Sequence, residues 1–371
     1  MNNNASIKHI QCLFETKDDL IRSLLKHRDS IFTDVSINEN LMTHLTDFFI
    51  LKHPHISCVP SVEKLKFIDD TYRLFIENFT MESVDVASYD PIGKGTYSKV
   101  YLSENQVDVI KVVKARNDDD VLLNLKNSSV QDFWQYILDV FTYILWITIF
   151  RCLKDRLSTS EDGGPGDLIN NMCEIRRPFI VVKSKETAFC VGYVIKKYEN
   201  TLSQMHASNT VTKDIIAEVA ILLYRMHSLA QHGITLLHRD VSSGNVMLTG
   251  DTVKLIDFGF GLTVVRFSDK SDWRFGYFFD ELYDVIVEGH YDVIFFCLFM
   301  LNYHTPALVK MGLYHRFKKL IAFNDNFRLI DLAKPKTIWL YPYKARNIDK
   351  STFMREFIGG FIQLENNKSK H

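Results

Sequence analysis

The hydrophobic period of this chain changes twice, and that order restricts the fold more than any single residue does. Up to about residue 88 apolar residues recur at helical spacing in three patches, near 16–29, 40–52 and 61–80. In the third, Leu65, Ile68, Tyr72, Phe75 and Phe79 leave one polar face. Beyond residue 88 the period becomes two: residues 99–102 and 107–113 alternate around the turn "SENQ", which predicts an antiparallel hairpin. An aromatic-rich helix is expected over about 130–156, and "RPFIVVKSKETAFCVGYVIKKY" (177–198) reads as a second hairpin. After Asn200 the helical period returns, strongest over 214–233, where a glycine closes the pattern. Hairpin, helix, hairpin and a mainly helical half make a two-lobed α+β plan with its seam near 197–203. The aspartates 118–120 are expected to cap a helix or lie in a solvated turn, and "STSEDGGPGD" (158–167) to be a loop.

With 371 residues, 46% of them hydrophobic, the chain can bury a large core as one domain or two joined lobes. Its 44 Lys and Arg balance 45 Asp and Glu, so no global field draws it to nucleic acid or to an anionic membrane. Cys12, Cys58, Cys152, Cys173, Cys190 and Cys297 are scattered without a C-x-x-C pair, which fits a reducing, intracellular setting, cytoplasmic or nuclear. The first residues lack a basic region leading into an apolar run, so no secretory signal is expected. The runs 140–150 and 293–301 fall short of the ~18 apolar residues of a membrane span and are read as buried helices. "HPHISC", with His53, His55 and Cys58, is read as a loop rather than a metal site, because a fourth ligand is lacking.

Two stretches carry chemistry. "GKGTYSKVYL" (93–102) places Gly93 and Gly95 at the entry of a strand, where backbone N–H groups can approach a polyphosphate. "LLHRDVSSGNVMLTGDTVKLIDFGFG" (236–261) sets Asn245 five positions after Asp240, then a short hairpin around "TGDT", then Asp257-Phe258-Gly259. In "VDVIKVV", alternation puts Lys111 on the strand face of Val109 and Val113, and the competing Lys114 on the opposite face.

This set resembles the eukaryotic protein kinase family, whose signature is a Gly-rich loop, a strand lysine, H-R-D-x-x-x-x-N and D-F-G. Divergent members of that kind occur in large DNA viruses. The resemblance covers residues 88–300 well, the last seventy loosely and the first 88 not at all. It implies a small antiparallel-sheet lobe (89–198), a larger helical lobe (199–371) and a helical extension (1–88). The extension is read as packed on the main domain and separable from the chemistry, with a protein partner as the sharper alternative.

By this resemblance the cofactors are ATP and Mg²⁺, and the reaction is γ-phosphoryl transfer to Ser or Thr hydroxyls of a protein substrate. Asp240 would accept or orient the hydroxyl, Asn245 and Asp257 would hold metal, and Lys111 would pair with phosphate. Gly93, Gly95, Tyr97 and Ser98 would cover the phosphates, while Val100, Val109 and Met247 would sandwich the adenine. Asp292 would hold the backbone of the H-R-D turn. Arg239 would grip a phosphate on the segment 260–280, where Thr263, Ser268, Ser271 and Tyr277 are the hydroxyls and Ser268 or Ser271 the expected acceptors. Three departures stand out. No glutamate lies between Glu104 and Glu161 to pair with Lys111, which leaves Asp132, Asp139 or Glu174. Ser242 replaces the lysine usual two positions after the catalytic aspartate, and A-P-E has only Phe279-Asp280-Glu281 as a weak counterpart. The missing glutamate supports a second reading, a nucleotide- or partner-binding pseudokinase. A small-molecule kinase of the aminoglycoside or choline type is the third.

Overall fold

A computed structural model describes residues 11–53, 59, 61–79, 83–86, 88–94, 98–113, 130–157, 165–183, 190–250, 252–276, 291–315 and 317–318. The aspartates 118–120, Lys114, His55, Cys58, Tyr277 and the 279–281 triplet lie outside them, as does everything beyond 318.

The fold is mixed α+β with an antiparallel-rich sheet, as the alternation of periods requires. Three helices come first: α1 (Lys17–His27), α2 (Glu39–Thr46), which runs on through a wider turn over Asp47–Lys52, and α3 (Ser61–Asn78). Thr16 opens α1 with a reciprocal capping box to Asp19, and the Asn38 side chain caps α2. Strands β1 (Ser83–Asp85), β2 (Gly93–Lys94), β3 (Ser98–Leu102), β4 (Asp108–Val113), β5 (Ile175–Lys183) and β6 (Cys190–Lys196) form one six-stranded sheet in the order β1-β5-β6-β4-β3-β2. Both expected hairpins are present, β3 with β4 and β5 with β6. β1 was not foreseen; it runs parallel to β5 and ties residues of the supposed extension into the sheet.

One face of this sheet closes a small core of Val86, Tyr101, Ile110, Val112, Ile180 and Val182. The other face meets α4 (Val130–Leu157), whose middle is apolar on every side and buried throughout. From Phe133 to Leu157 this helix is long and apolar enough to cross a membrane, but 89% of its most apolar window is buried within the fold.

α4 is buried because the first three helices cover the side the sheet leaves open. Phe49 packs against Phe67, Trp134, Phe141 and Phe275, with ring centroids 4.8–5.9 Å apart. Phe75 meets Tyr136 and Phe179 in the same way. Among the described residues, the first three helices, α4 and most of the elements that follow therefore share one apolar core.

Beyond the sheet, β7 (Asn200–Thr201), β9 (Val246–Thr249) and β10 (Thr252–Leu255) form a small sheet, and β8 (Ile234–Leu237), β11 (Leu262–Arg266) and β12 (Asp272–Gly276) another. Helix α5 (Leu202–Ala207) follows β7 under a capping box from Thr201 to Gln204. Helix α6 (Lys213–Ser228) ends in a tight turn stopped by Gly233 at φ 73°, a conformation that favours glycine. Helices α7 (Tyr291–Tyr303) and α8 (Thr305–Lys310) complete the described part.

Candidate functional site

Lys111 lies in the middle of β4, opposite Val100 on β3 and Tyr193 on β6. Its face is the one that meets α4, shared with Val109 and Val113, as strand alternation requires. Gly192, beside Tyr193, allows the close pairing of these strands: a Cβ there would stand 2.7 Å from the carbonyl oxygen of Lys111. The ammonium group is nearly enclosed, and two carboxylates face it: Asp257 at 3.1 Å and Asp139 at 3.6 Å. Burial pulls its pKa down, but the charges of Asp257 and then Asp139 more than offset this, so Lys111 is held charged.

Of the three candidate partner acids, Asp139 is the one at Lys111. Glu174 turns away to Arg176, Lys196 and the hydroxyl of Thr33. Asp132 belongs to α4, but its side chain is outside the described residues. Asp139 comes from the centre of α4 and is buried on all sides, so both its oxygens need partners. Oδ1 accepts the backbone N–H of Phe258 at 2.6 Å, and Oδ2 accepts the Tyr193 hydroxyl at 2.5 Å. Burial pushes this carboxyl up, while Lys111, the Tyr193 hydroxyl and the Phe258 N–H work against that. The side chain of Gln135, one turn earlier, donates to the carbonyl of Gly259.

The second half of the site is built by local turns. Asp292, at the start of α7, accepts the N–H of His238 at 2.6 Å and that of Arg239 at 2.7 Å. These two bonds hold the turn in which Arg239 takes φ 62°. His238 is buried, with Nε2 2.8 Å from the carbonyl of Ile256, while Nδ1 accepts the Asp240 N–H at 3.3 Å. Burial lowers its pKa to about 4, so the ring is neutral and Nε2 carries the proton.

Asp240 then receives the Asn245 side-chain amide on Oδ2 at 2.8 Å, and the same amide reaches the Asp240 carbonyl at 3.1 Å. The Asn245 carbonyl accepts the Ile256 N–H at 3.1 Å, which sets Asn245 beside the strand end that carries Asp257. Asp257 sits at φ 67° and ψ 75°, and its side chain remains 40% exposed, against 6% for Asp139. Burial, and then the charge of Asp257, push the Asp240 carboxyl up to about 7.

Lys111, Asp257, Asp240, Asn245, Arg239 and Asp292 are thus brought together, joined by Asp139. Gly93 lies on β2 opposite Val100, and Ser98 is buried at the start of β3. Gly95 and Tyr97 are outside the described residues. Val109 and Met247 are half-buried against the main core, Met247 on β9 opposite Thr201.

The expected phosphate acceptors fare differently. Thr263 is buried within β11 and accepts the indole N–H of Trp146 at 2.9 Å, so it is not available to a modifying group. Arg239 Nε donates to the carbonyl of Phe260 at 2.6 Å, at one end of β11. Ser268 and Ser271 lie past the other end, because β11 pairs back along β8 from Leu237 to Ile234. At strand rise the separation is roughly 20 Å. A phosphate on either serine therefore does not reach Arg239, and the expected grip is corrected.

Sequence reasoning left Asp139 open among three acids and missed Tyr193 and Gln135. One signal was available: Asp139 is the sole charged residue between Phe133 and Phe150, and a carboxylate on an otherwise apolar helix must find a partner. Tyr193 had no such signal, since its place opposite Lys111 depends on sheet register. No protein-family model and no curated protein matches this chain.

Proposed function

We propose that the chain is a divergent protein kinase, built on the two-lobed plan of that family, which transfers the γ-phosphoryl group of Mg·ATP to Ser or Thr hydroxyls of a protein substrate. The observation that carries this reading is Lys111 held between Asp139 and Asp257 next to the Asp240–Asn245 pair. An acid beside Lys111 also removes the main argument for a non-catalytic nucleotide binder.

The donor set fits the cofactors the reading requires. A carboxylate and an amide oxygen suit a hard cation, and the charge of Asp257, which after burial is the next cause lifting Asp240, is one that a cation would offset. Asn245 and Asp257 would hold Mg²⁺, which would supply positive charge to neutralise that of the nucleotide phosphates. Lys111 pairs with phosphate oxygens as a fixed positive charge. Asp240 orients the acceptor hydroxyl and takes its proton, while His238 and Asp292 keep the turn beneath it in place.

The test pairs two variants with two readouts. Mg·ATP should raise the melting temperature of the wild type, by an amount equivalent to ~2.7 kcal/mol at 100 times the dissociation constant. Asp257→Asn should weaken that shift and stop transfer. Asp240→Asn should keep most of the shift while radiolabel transfer to protein falls about 10²–10⁴-fold. Wild-type transfer rates in both variants would overturn the assignment. A thermal shift in wild type without transfer to protein, sugar or amine acceptors would replace it with the nucleotide-binding reading.

A further inference from the structure

Asp139 is one methylene shorter than the glutamate whose place it takes, and its distance to Lys111, 3.6 Å, is longer than a direct hydrogen bond. The lysine alone therefore does not orient this carboxylate. Tyr193 lies opposite Lys111 in the β4–β6 register, and its ring centroid is 5.4 Å from Lys111 Nζ. Its hydroxyl donates to the same Asp139 oxygen that faces the ammonium group. One side chain thus contacts both members of the pair, through its ring face and its hydroxyl. The other Asp139 oxygen is taken by the N–H of Phe258, next to Asp257. With both oxygens hydrogen-bonded elsewhere, the carboxylate stays at Lys111 as an ion pair rather than through a direct hydrogen bond.

Resting on the kinase reading above, we infer that Tyr193 is a positioning residue for phosphoryl transfer: its hydroxyl aims Asp139 at Lys111 and so keeps the ammonium group where the nucleotide phosphates need it. Tyr193 touches neither nucleotide nor acceptor in this scheme and acts through Asp139. The inference has a specific consequence. Removing the hydroxyl lowers the rate of the chemical step more than the affinity for nucleotide, because the Lys111 charge matters most where phosphate charge is redistributed. It also makes the effects of Tyr193 and Asp139 overlap rather than multiply.

The experiment compares wild type, Tyr193→Phe, Asp139→Ala and the double variant, using casein as acceptor and Mg·ATP as donor. Tyr193→Phe retains the ring and is expected to lower kcat about tenfold while KM for ATP changes by less than about threefold. In the Asp139→Ala background the same change is expected to alter kcat by less than about twofold. Should Tyr193→Phe melt too low to assay at 25 °C, the same four proteins are compared at 10 °C, where the same overlap is expected. Equal kcat in wild type and Tyr193→Phe, or losses that multiply in the double variant, would overturn the role of Tyr193 and leave the kinase reading intact. A wild type that neither transfers phosphate nor gains thermal stability from Mg·ATP would overturn both.

Discussion

Two buried regions of this molecule share the same turns of α4 and solve opposite problems. Around Phe49, Phe67, Trp134 and Phe275, aromatic rings fill the space between the first three helices, α4 and β12, and the indole N–H of Trp273 is satisfied by the Phe49 carbonyl at 3.1 Å. Around Lys111 and Asp257 charges are enclosed as well: partners only partly offset the burial of Asp139, Asp240 and Asp292, whereas two carboxylates more than offset that of Lys111. The first region gains stability from burial, whereas the second spends some of it to keep charges in fixed positions. α4 serves both, so the aromatic collar holds in place the helix that the polar cluster needs.

The strongest way to break the comparison is to remove the collar. A chain beginning at Ser83 keeps every residue of the polar site, and the sequence reading, with the extension separable from the chemistry, expects it to retain turnover. The shared core reverses that expectation: removal would bare the outer face of α4 and the Phe275 side of β12. Such a chain is expected to be insoluble or to melt without a cooperative transition, as read by soluble yield and a thermal melt. A truncated protein that melts cooperatively and turns over near the full-length rate would show that the collar is dispensable.

Phe49→Ala is the next step down. The ring is fully buried against five others, Phe48 included, so its loss should cost about 3–5 kcal/mol in a urea melt. Since the ring contacts of Phe49 are with other aromatic residues, KM for ATP of the protein that remains folded should be unchanged. A changed KM with unchanged stability would mean that the two regions are not distinct.

Their legibility in the sequence differs for the same reason. Asp240, Asn245 and Asp257 are held by short turns and one hairpin, so spacing alone brought them near each other. The three helices of the collar were legible from periodicity to within a few residues, because an amphipathic face is a local property. What covers that face is not local: the extension is read from sequence as packed on the main domain, but that α1–α3 enclose α4 could not be read. Asp139 and Tyr193 fall between these cases: the lone charge on an apolar helix announced a partner, but its identity waited on how α4 lies across β4 and β6. The reach of Arg239 failed similarly, since only the pairing of β11 with β8 shows how far Ser268 lies from it.

Within the polar cluster, Asp292→Asn should come third. Both Asp292 oxygens accept backbone N–H groups, whereas an amide offers one acceptor and turns its own donors toward the other N–H. The expected cost is about 1–3 kcal/mol, with a loss of phosphate transfer as the turn under Asp240 shifts. An unchanged urea midpoint would show that these two bonds contribute nothing net.

The smallest effect has the opposite sign and sharpens the comparison most. The Asp240 carboxyl is pushed up to about 7 in the folded protein, first by burial and then by the charge of Asp257, from an ordinary value of 3.8. Between those values the folded state binds more protons than the unfolded one, so this group's contribution to stability falls as pH rises from about 4 to 7 and stays low above that. Asp240→Asn keeps an oxygen for the Asn245 amide and removes the charge that is costly to bury. Without Mg²⁺, the variant should therefore be more stable than wild type by ~1–2 kcal/mol at pH 8 and nearly equal to it at pH 4, as read by urea melts with a chelator present. Added Mg²⁺ should narrow the gap at pH 8, because a cation beside Asp257 relieves the repulsion that the substitution removes. A variant less stable than wild type at pH 8 would place Asp240 with the stabilising residues of the collar, and the contrast between the two regions would fail at the residue proposed to do the chemistry.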